Sequence, residues 1–218
     1  MKKKSVLIIG MGRFGRHLAM RMLELGNDVM IVDKDANLID MMSPYCPDAS
    51  ICDCTNENVL KSLGVDEFDI CFVTIGEDFQ SSLVITSHLK ALGAKCVVAK
   101  AGQDIQADLL RKIGADEVIY PEKEIAEKVA VRYNSNNIFD FIPLTSDFSI
   151  YEVPVLKDWI GKTIVEVNVR QQYNVSIIGI KNSTSLNTMP NANYVFNRDD
   201  HIIIVGKATD VFKLTSKI

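Results

Sequence analysis

The chain has 218 residues, 47% of them hydrophobic, and a formal net charge of −4. That length can build one large core or two small ones, and an acidic chain without a basic block is not expected to bind nucleic acid. Residues 1–150 carry 16 Lys+Arg against 22 Asp+Glu, whereas residues 151–218 carry 8 against 6, a contrast that points to two units.

The opening "MKKKSVLIIG" places three lysines before an apolar run of four residues. That run is too short for a signal core or for the roughly 20 residues of a membrane span, so the chain reads as soluble. Strand and helix patterns then alternate. Strands are expected at Ser5–Ile9, Asp28–Val32, Ala49–Cys52, Ile70–Val73, Cys96–Ala99 and Val118–Tyr120. Helices are expected at Phe14–Leu25, Ala36–Met42, from a Thr55 cap to Leu63, and at Phe79–Leu92, Ile105–Ile113 and Glu122–Tyr133. Such βαβ alternation implies a mostly parallel, doubly wound α/β sheet of Rossmann type. "YNSNN" reads as a linker or crossover, which divides the chain into residues 1–134 and 135–218.

The second unit reads as a small α+β domain. Phe148–Val155 and Val175–Ile180 are strand-like, "DWIGKTIVEVNVR" gives a turn and a short helix, and Val195 and His201–Val205 suggest two more strands ended by Gly206. Ala208–Ser216 reads as a closing helix. Alone, this unit would be marginal, so dimerisation is expected.

Cys46, Cys52, Cys54, Cys71 and Cys96 are odd in number and lack C-x-x-C spacing. They read as reduced thiols, and with His17, His88 and His201 scattered they form no transition-metal cluster. His201 alternates with apolar neighbours and reads as structural.

The chemistry concentrates around Gly10-Met11-Gly12-Arg13-Phe14-Gly15, a G-x-G-x-x-G turn between strand and helix. Gly10 permits the tight turn, Gly12 lets the backbone approach a pyrophosphate, and Gly15 lets the helix pack close to the sheet. Asp33, ending the second strand, suits the ribose hydroxyls and repels a 2′-phosphate. Arg13 either reaches phosphate oxygens or is a solvated or interface side chain. Asp53 lies either near adenine or in a capping turn. Thr74, Ile75 and Gly76 follow the fourth strand into the same cleft. Lys100 touches either the nucleotide or a neighbouring subunit, and Phe14, Lys34 and Cys54 adjoin these positions. Glu122, after Pro121, either favours the helix dipole or faces a phosphate-bound Mg²⁺ or Ca²⁺. No spacing argues for nucleophilic catalysis, so the balance moves from chemistry towards sensing. A small NAD-dependent oxidoreductase or a redox-sensing NAD(H) regulator is the alternative.

"IIGMGRFGRHLA", "VMIVDKD", the Asp-x-Thr after the third strand, "VTIGEDFQSSL", "VVAKA" and "KIGADEVIYPEKEIAEKVA" together resemble the RCK (KTN) domain. "IVEVNVRQQYNVSIIGI" and "DDHIIIVG" resemble its companion, the TrkA C-terminal domain. The series covers nearly the whole chain and is similar to KtrA-type regulatory subunits of potassium uptake systems. That resemblance implies a homodimer assembling into an octameric ring, docked from the cytoplasm on a Ktr-type or Trk-type membrane subunit. It implies ATP and ADP competing for the cleft, with NAD(H) in some members. It matches Gly10, Gly12, Arg13 and Gly15 to the phosphate loop, Asp33 to the ribose acid and Glu122 to the acid near an activating cation. It also implies cyclic di-AMP between two copies of the second domain, at Ile164, Arg170, Asn174, Val175, Ile177 and Pro190.

Overall fold

The computed structural model describes residues 2–134 and 137–216; Ser135 and Asn136 of the expected linker lie outside the described residues. Two compact units divide the chain, Met1–Glu122 and Lys123–Ile218.

In the first unit the order is β1 (Ser5–Ile9), α1 (Arg13–Glu24), β2 (Asp28–Asp33), α2 (Ala36–Met42), β3 (Ala49–Ile51) and α3 (Glu57–Ser62). It continues through β4 (Ile70–Val73), α4 (Phe79–Ala91), β5 (Val97–Lys100), α5 (Asp104–Lys112) and β6 (Glu117–Ile119). Among the described residues these strands form one parallel sheet in the order β3-β2-β1-β4-β5-β6. This is the doubly wound order that reverses between β1 and β4.

The strands are buried on both faces because successive side chains point to opposite sides. Leu7 and Ile9 of β1, with Cys71 and Val73 of β4, join a core with Leu60, Ile85, Leu89 and Leu110 from α3, α4 and α5. Val6 and Ile8, with Phe72, join the opposite core with Ala19, Ile39 and Met42 from α1 and α2. Each buried aliphatic side chain contributes about 1.5–3 kcal/mol. The cysteines are all free, and burial pushes the Cys71 thiol up to about 12.

Helix α6 (Pro121–Asn134) starts in the first unit and runs on in the second. Its first turn holds Pro121, one residue before the expected start, as suits a residue with no N–H to donate.

The second unit contains β7 (Asp140–Pro143), β8 (Phe148–Pro154), α7 (Ile164–Val167), α8 (Val169–Tyr173), β9 (Ser176–Lys181), β10 (Leu186–Asn187), β11 (His201–Lys207) and α9 (Ala208–Thr215). The antiparallel sheet order is β10-β9-β11-β8-β7. One face is packed: Tyr151, Val153, Ile202 and Ile204 share a core with Val211 and Leu214 of α9. Trp159 lies 5.5 Å from Phe196 and 5.6 Å from Tyr173 in the same core, measured between ring centroids.

Four local expectations are corrected. The short helix expected within "DWIGKTIVEVNVR" is two pieces, Ile164–Val167 and Val169–Tyr173, because Asn168 adopts a left-handed φ of 47° that Asn tolerates better than most residues. Val195 makes one isolated bridge to Thr163 rather than a strand. Gly206 lies inside β11 rather than ending it; a Cβ there would meet Val175 Cγ1 at 2.7 Å, so this glycine makes room for core packing. Thr55 does not cap α3, since Asn56 does so by accepting the Asn58 N–H. Among the described residues no helix is long and apolar enough to cross a membrane.

Candidate functional site

The turn after β1 is built from three close approaches. The Gly10 N–H donates to the Val32 carbonyl at 2.8 Å, and Gly10 adopts a φ of 103°, a conformation glycine reaches without strain. Buried Thr74, just past β4, donates its hydroxyl to the Gly10 carbonyl at 2.6 Å, with the Ile9 carbonyl 3.1 Å away. Gly15 lies so near this turn that a Cβ would fall 2.0 Å from the Gly10 oxygen. Gly12 differs: nothing lies within 4 Å of a Cβ placed there. It begins α1 without a side-chain cap, so the first-turn N–H groups and the helix dipole face open space suited to an anion.

That space belongs to a cavity of about 760 Å³ at the carboxyl ends of the strands, the size of a small-molecule site. It opens where the sheet order reverses, as ligand clefts of open α/β sheets do. The expected residues Gly10, Gly12, Arg13, Phe14, Asp33, Lys34, Asp53, Cys54, Thr74, Ile75, Gly76, Lys100 and Glu122 all line it. Gly15 lies beneath the lining, where its role is packing.

Asp33 is held by two backbone donors, the Met11 N–H at 2.6 Å and the Asp35 N–H at 2.9 Å. Each carboxylate oxygen keeps acceptor capacity for a ribose hydroxyl. Asp53 accepts the Thr55 N–H at 3.0 Å and the Thr55 hydroxyl at 2.7 Å, and these bonds hold its carboxyl below the usual range. It therefore stays ionised at the cavity rim in a local turn, and does not cap α3. Lys100 pairs with Glu122 at 2.6 Å. Arg13 is exposed, and its side chain makes no hydrogen bond or ion pair among the described residues.

Sequence reasoning passed over Asp78. It caps α4 by accepting the Ser81 N–H at 3.0 Å and the Ser81 hydroxyl at 2.6 Å, which lowers its carboxyl's pKa, and it lies 3.6 Å from Lys34. The signal was an Asp three residues before a Ser at a helix start.

The chemistry available is recognition of an anion and a diol. Among the described residues no histidine lines the cavity. Burial, first among several causes, pushes the Cys54 thiol up, away from the thiolate a nucleophile needs. Glu122 does not by itself fit a cation site: its partner is an ammonium, and among the described residues no group of three or more His, Cys, Asp or Glu could hold a metal.

The residues expected to take a second ligand differ in exposure. Arg170 and Asn174 are exposed, Ile164, Ile177 and Pro190 are half-buried, and Val175 is 1% exposed inside the core. Its side chain has no free face to flank a base.

The TrkA-N domain profile matches residues 6–121, and the TrkA-C domain profile matches residues 148–218. The chain belongs to the TrkA-N/TrkA-C family. It is 33% identical over 216 residues to the Ktr system potassium uptake protein C of Bacillus subtilis, covering 99% of this chain and 98% of that protein. It is 31% identical to the Ktr system potassium uptake protein A of the same organism, covering 96% and 95%. Among solved structures, the RCK domain of GsuK superposes with a TM-score of 0.70 at 21% identity, covering all of this chain and 48% of that one. This last likeness establishes the shared fold.

Proposed function

We propose that this TrkA-N/TrkA-C protein is the nucleotide-sensing regulatory subunit of a Ktr-type potassium uptake system. One observation carries the reading. A chain similar from end to end to Ktr uptake proteins has, at its sheet switch point, a cleft lined by Gly12 at the uncapped start of α1 and by the exposed Arg13, with no histidine among the described lining residues. Gly12 and the α1 N-terminus would take the phosphates, Asp33 the ribose, and Arg13 the terminal phosphate of ATP. A homodimer, assembled further into an octameric ring, would dock from the cytoplasm on a separate membrane subunit that carries the pore.

ATP activates and ADP inhibits in this reading because ATP has one more phosphate. If the active assembly brings Arg13 closer to that phosphate, ATP binds the active state better, and only such differential affinity shifts the population. Glu122 would need donors from another subunit to hold Mg²⁺ or Ca²⁺, and cyclic di-AMP would need a site shared by two copies. The test is calorimetric titration of the nucleotide-stripped full chain with ATP, ADP, NADH and cyclic di-AMP. Mutual competition of ATP and ADP supports the proposal. Exclusive NADH binding with steady turnover of a small substrate would replace it with an oxidoreductase.

A further inference from the structure

Lys100 is the best-sheltered cation of the cleft. It ends β5, yet its side chain is only 12% exposed, whereas its partner Glu122 is 61% exposed. The ammonium lies 5.8 Å from the centroid of the Phe14 ring, in the first turn of α1, within the range of a cation–π contact. It also passes over Gly76, where a Cβ would come within 3.1 Å of Nζ. A sheltered ammonium needs a counter-anion, and its ion-pair partner among the described residues is the Glu122 carboxylate at 2.6 Å.

Glu122 is well suited to that role. It lies in the first turn of α6, where the helix dipole favours a negative charge. The Lys100 hydrogen bond, first, and Arg13 from further away hold its carboxyl below the ordinary range, against the opposing effect of partial burial. Lys100 and Phe14 line the same cavity as Gly12 and the uncapped start of α1. A phosphate approaching the start of α1 would therefore bring a second anion to an ammonium that already has one.

We propose that Glu122 is an internal competitor for phosphate: its carboxylate holds Lys100 until a ligand's phosphate takes the ammonium, and this exchange of ion-pair partners sets the affinity for polyphosphate nucleotides. The proposal rests on the nucleotide reading of the cleft. No covalent bond forms or breaks in the exchange. It leaves Glu122 without its cation at the last residue of the first unit, on the helix that carries the chain into the second. Ligand binding thus changes the charge balance at that link.

A double-mutant cycle tests the exchange, because simple repulsion between Glu122 and a phosphate would also make Glu122→Gln bind better. The full chain, Glu122→Gln, Lys100→Met and the double variant are titrated with ADP and with adenosine in the presence of EDTA. Glu122→Gln is expected to bind ADP about two- to fivefold more tightly, the scale of a partly exposed ion pair, with adenosine unchanged. Lys100→Met is expected to lose about tenfold or more for ADP. In the Lys100→Met background the gain from Glu122→Gln should fall to almost nothing. A gain that persists there, or an ADP affinity lowered by Glu122→Gln, overturns the exchange. Lys100→Arg, which keeps the charge, should keep the coupling and so shows that the Lys100→Met result is not a folding defect. A wild-type chain that binds neither ADP nor adenosine overturns the nucleotide reading itself, and the exchange with it.

Discussion

Gly12 and Gly15 stand three residues apart in one motif, and the structure predicts opposite outcomes for adding a methyl group to each. At Gly15 a Cβ would fall 2.0 Å from the Gly10 carbonyl oxygen and 2.7 Å from Thr74 Oγ1. The first of these is backbone and cannot swing aside, so α1 or the turn must move by an ångström or more. Overpacking of this kind costs about 1–3 kcal/mol, which for a unit of this size lowers the melting temperature by about 5 °C or more. At Gly12 the same methyl meets nothing within 4 Å, and φ is −62°, a value alanine adopts freely. Gly12→Ala should therefore fold normally or gain about 0.5 kcal/mol from a less flexible unfolded chain. Its methyl, however, occupies the approach to the α1 N-terminus, and ADP affinity should fall by about tenfold or more. Thermal melts followed by calorimetry with ADP measure both quantities. Equal destabilisation by the two variants, or wild-type ADP affinity in Gly12→Ala, would refute the division of labour within the motif.

Further outcomes follow from the same geometry. Arg13→Ala should weaken ATP more than ADP, by about 1.5–3 kcal/mol for a charge-assisted contact; equal losses in calorimetry would show that Arg13 does not read the terminal phosphate. Phe196, 1% exposed and packed on Trp159, should cost about 3–5 kcal/mol as Phe196→Ala, read as loss of the second unit's cooperative melting. Asp116 has its carboxyl pKa lowered by the Lys90 ammonium and by the Val97 N–H. A depressed carboxyl stabilises the fold above its unfolded pKa and loses that contribution as pH falls through the folded value. Asp116→Asn should therefore lower stability at neutral pH and flatten the acid limb of a melting-temperature profile; an unchanged limb would count against this pair.

The parallel half of the fold was legible because its signals are local. An apolar run, a glycine turn and a helical period follow one another in "VLIIGMGRFGRHLAMRML", and Asp33 announces itself by ending the next strand. The Lys100–Glu122 pairing was not legible. The two residues are 22 apart in sequence and meet only because β5 and β6 lie side by side. Asp53 was placed at the cleft, yet its tie to Thr55 appeared only in the geometry. In the second unit, the register of β11 depends on β8 and β9 pairing with it from either side, so Gly206 looked like a stop when it was a gap left for Val175. Val175 reads as one apolar residue among several, and only the packed core decides that it points inward.

In the proposed function, ATP and ADP bound to this chain set the activity of a potassium pathway in another. The most direct measurement is potassium flux through a Ktr-type membrane subunit in proteoliposomes, with and without the full chain, at saturating ATP or ADP. The added chain is expected to raise flux with ATP and to lower it with ADP, and Gly12→Ala is expected to remove the difference. Flux that is identical in the two nucleotides, while the chain remains bound to the membrane subunit, would contradict it.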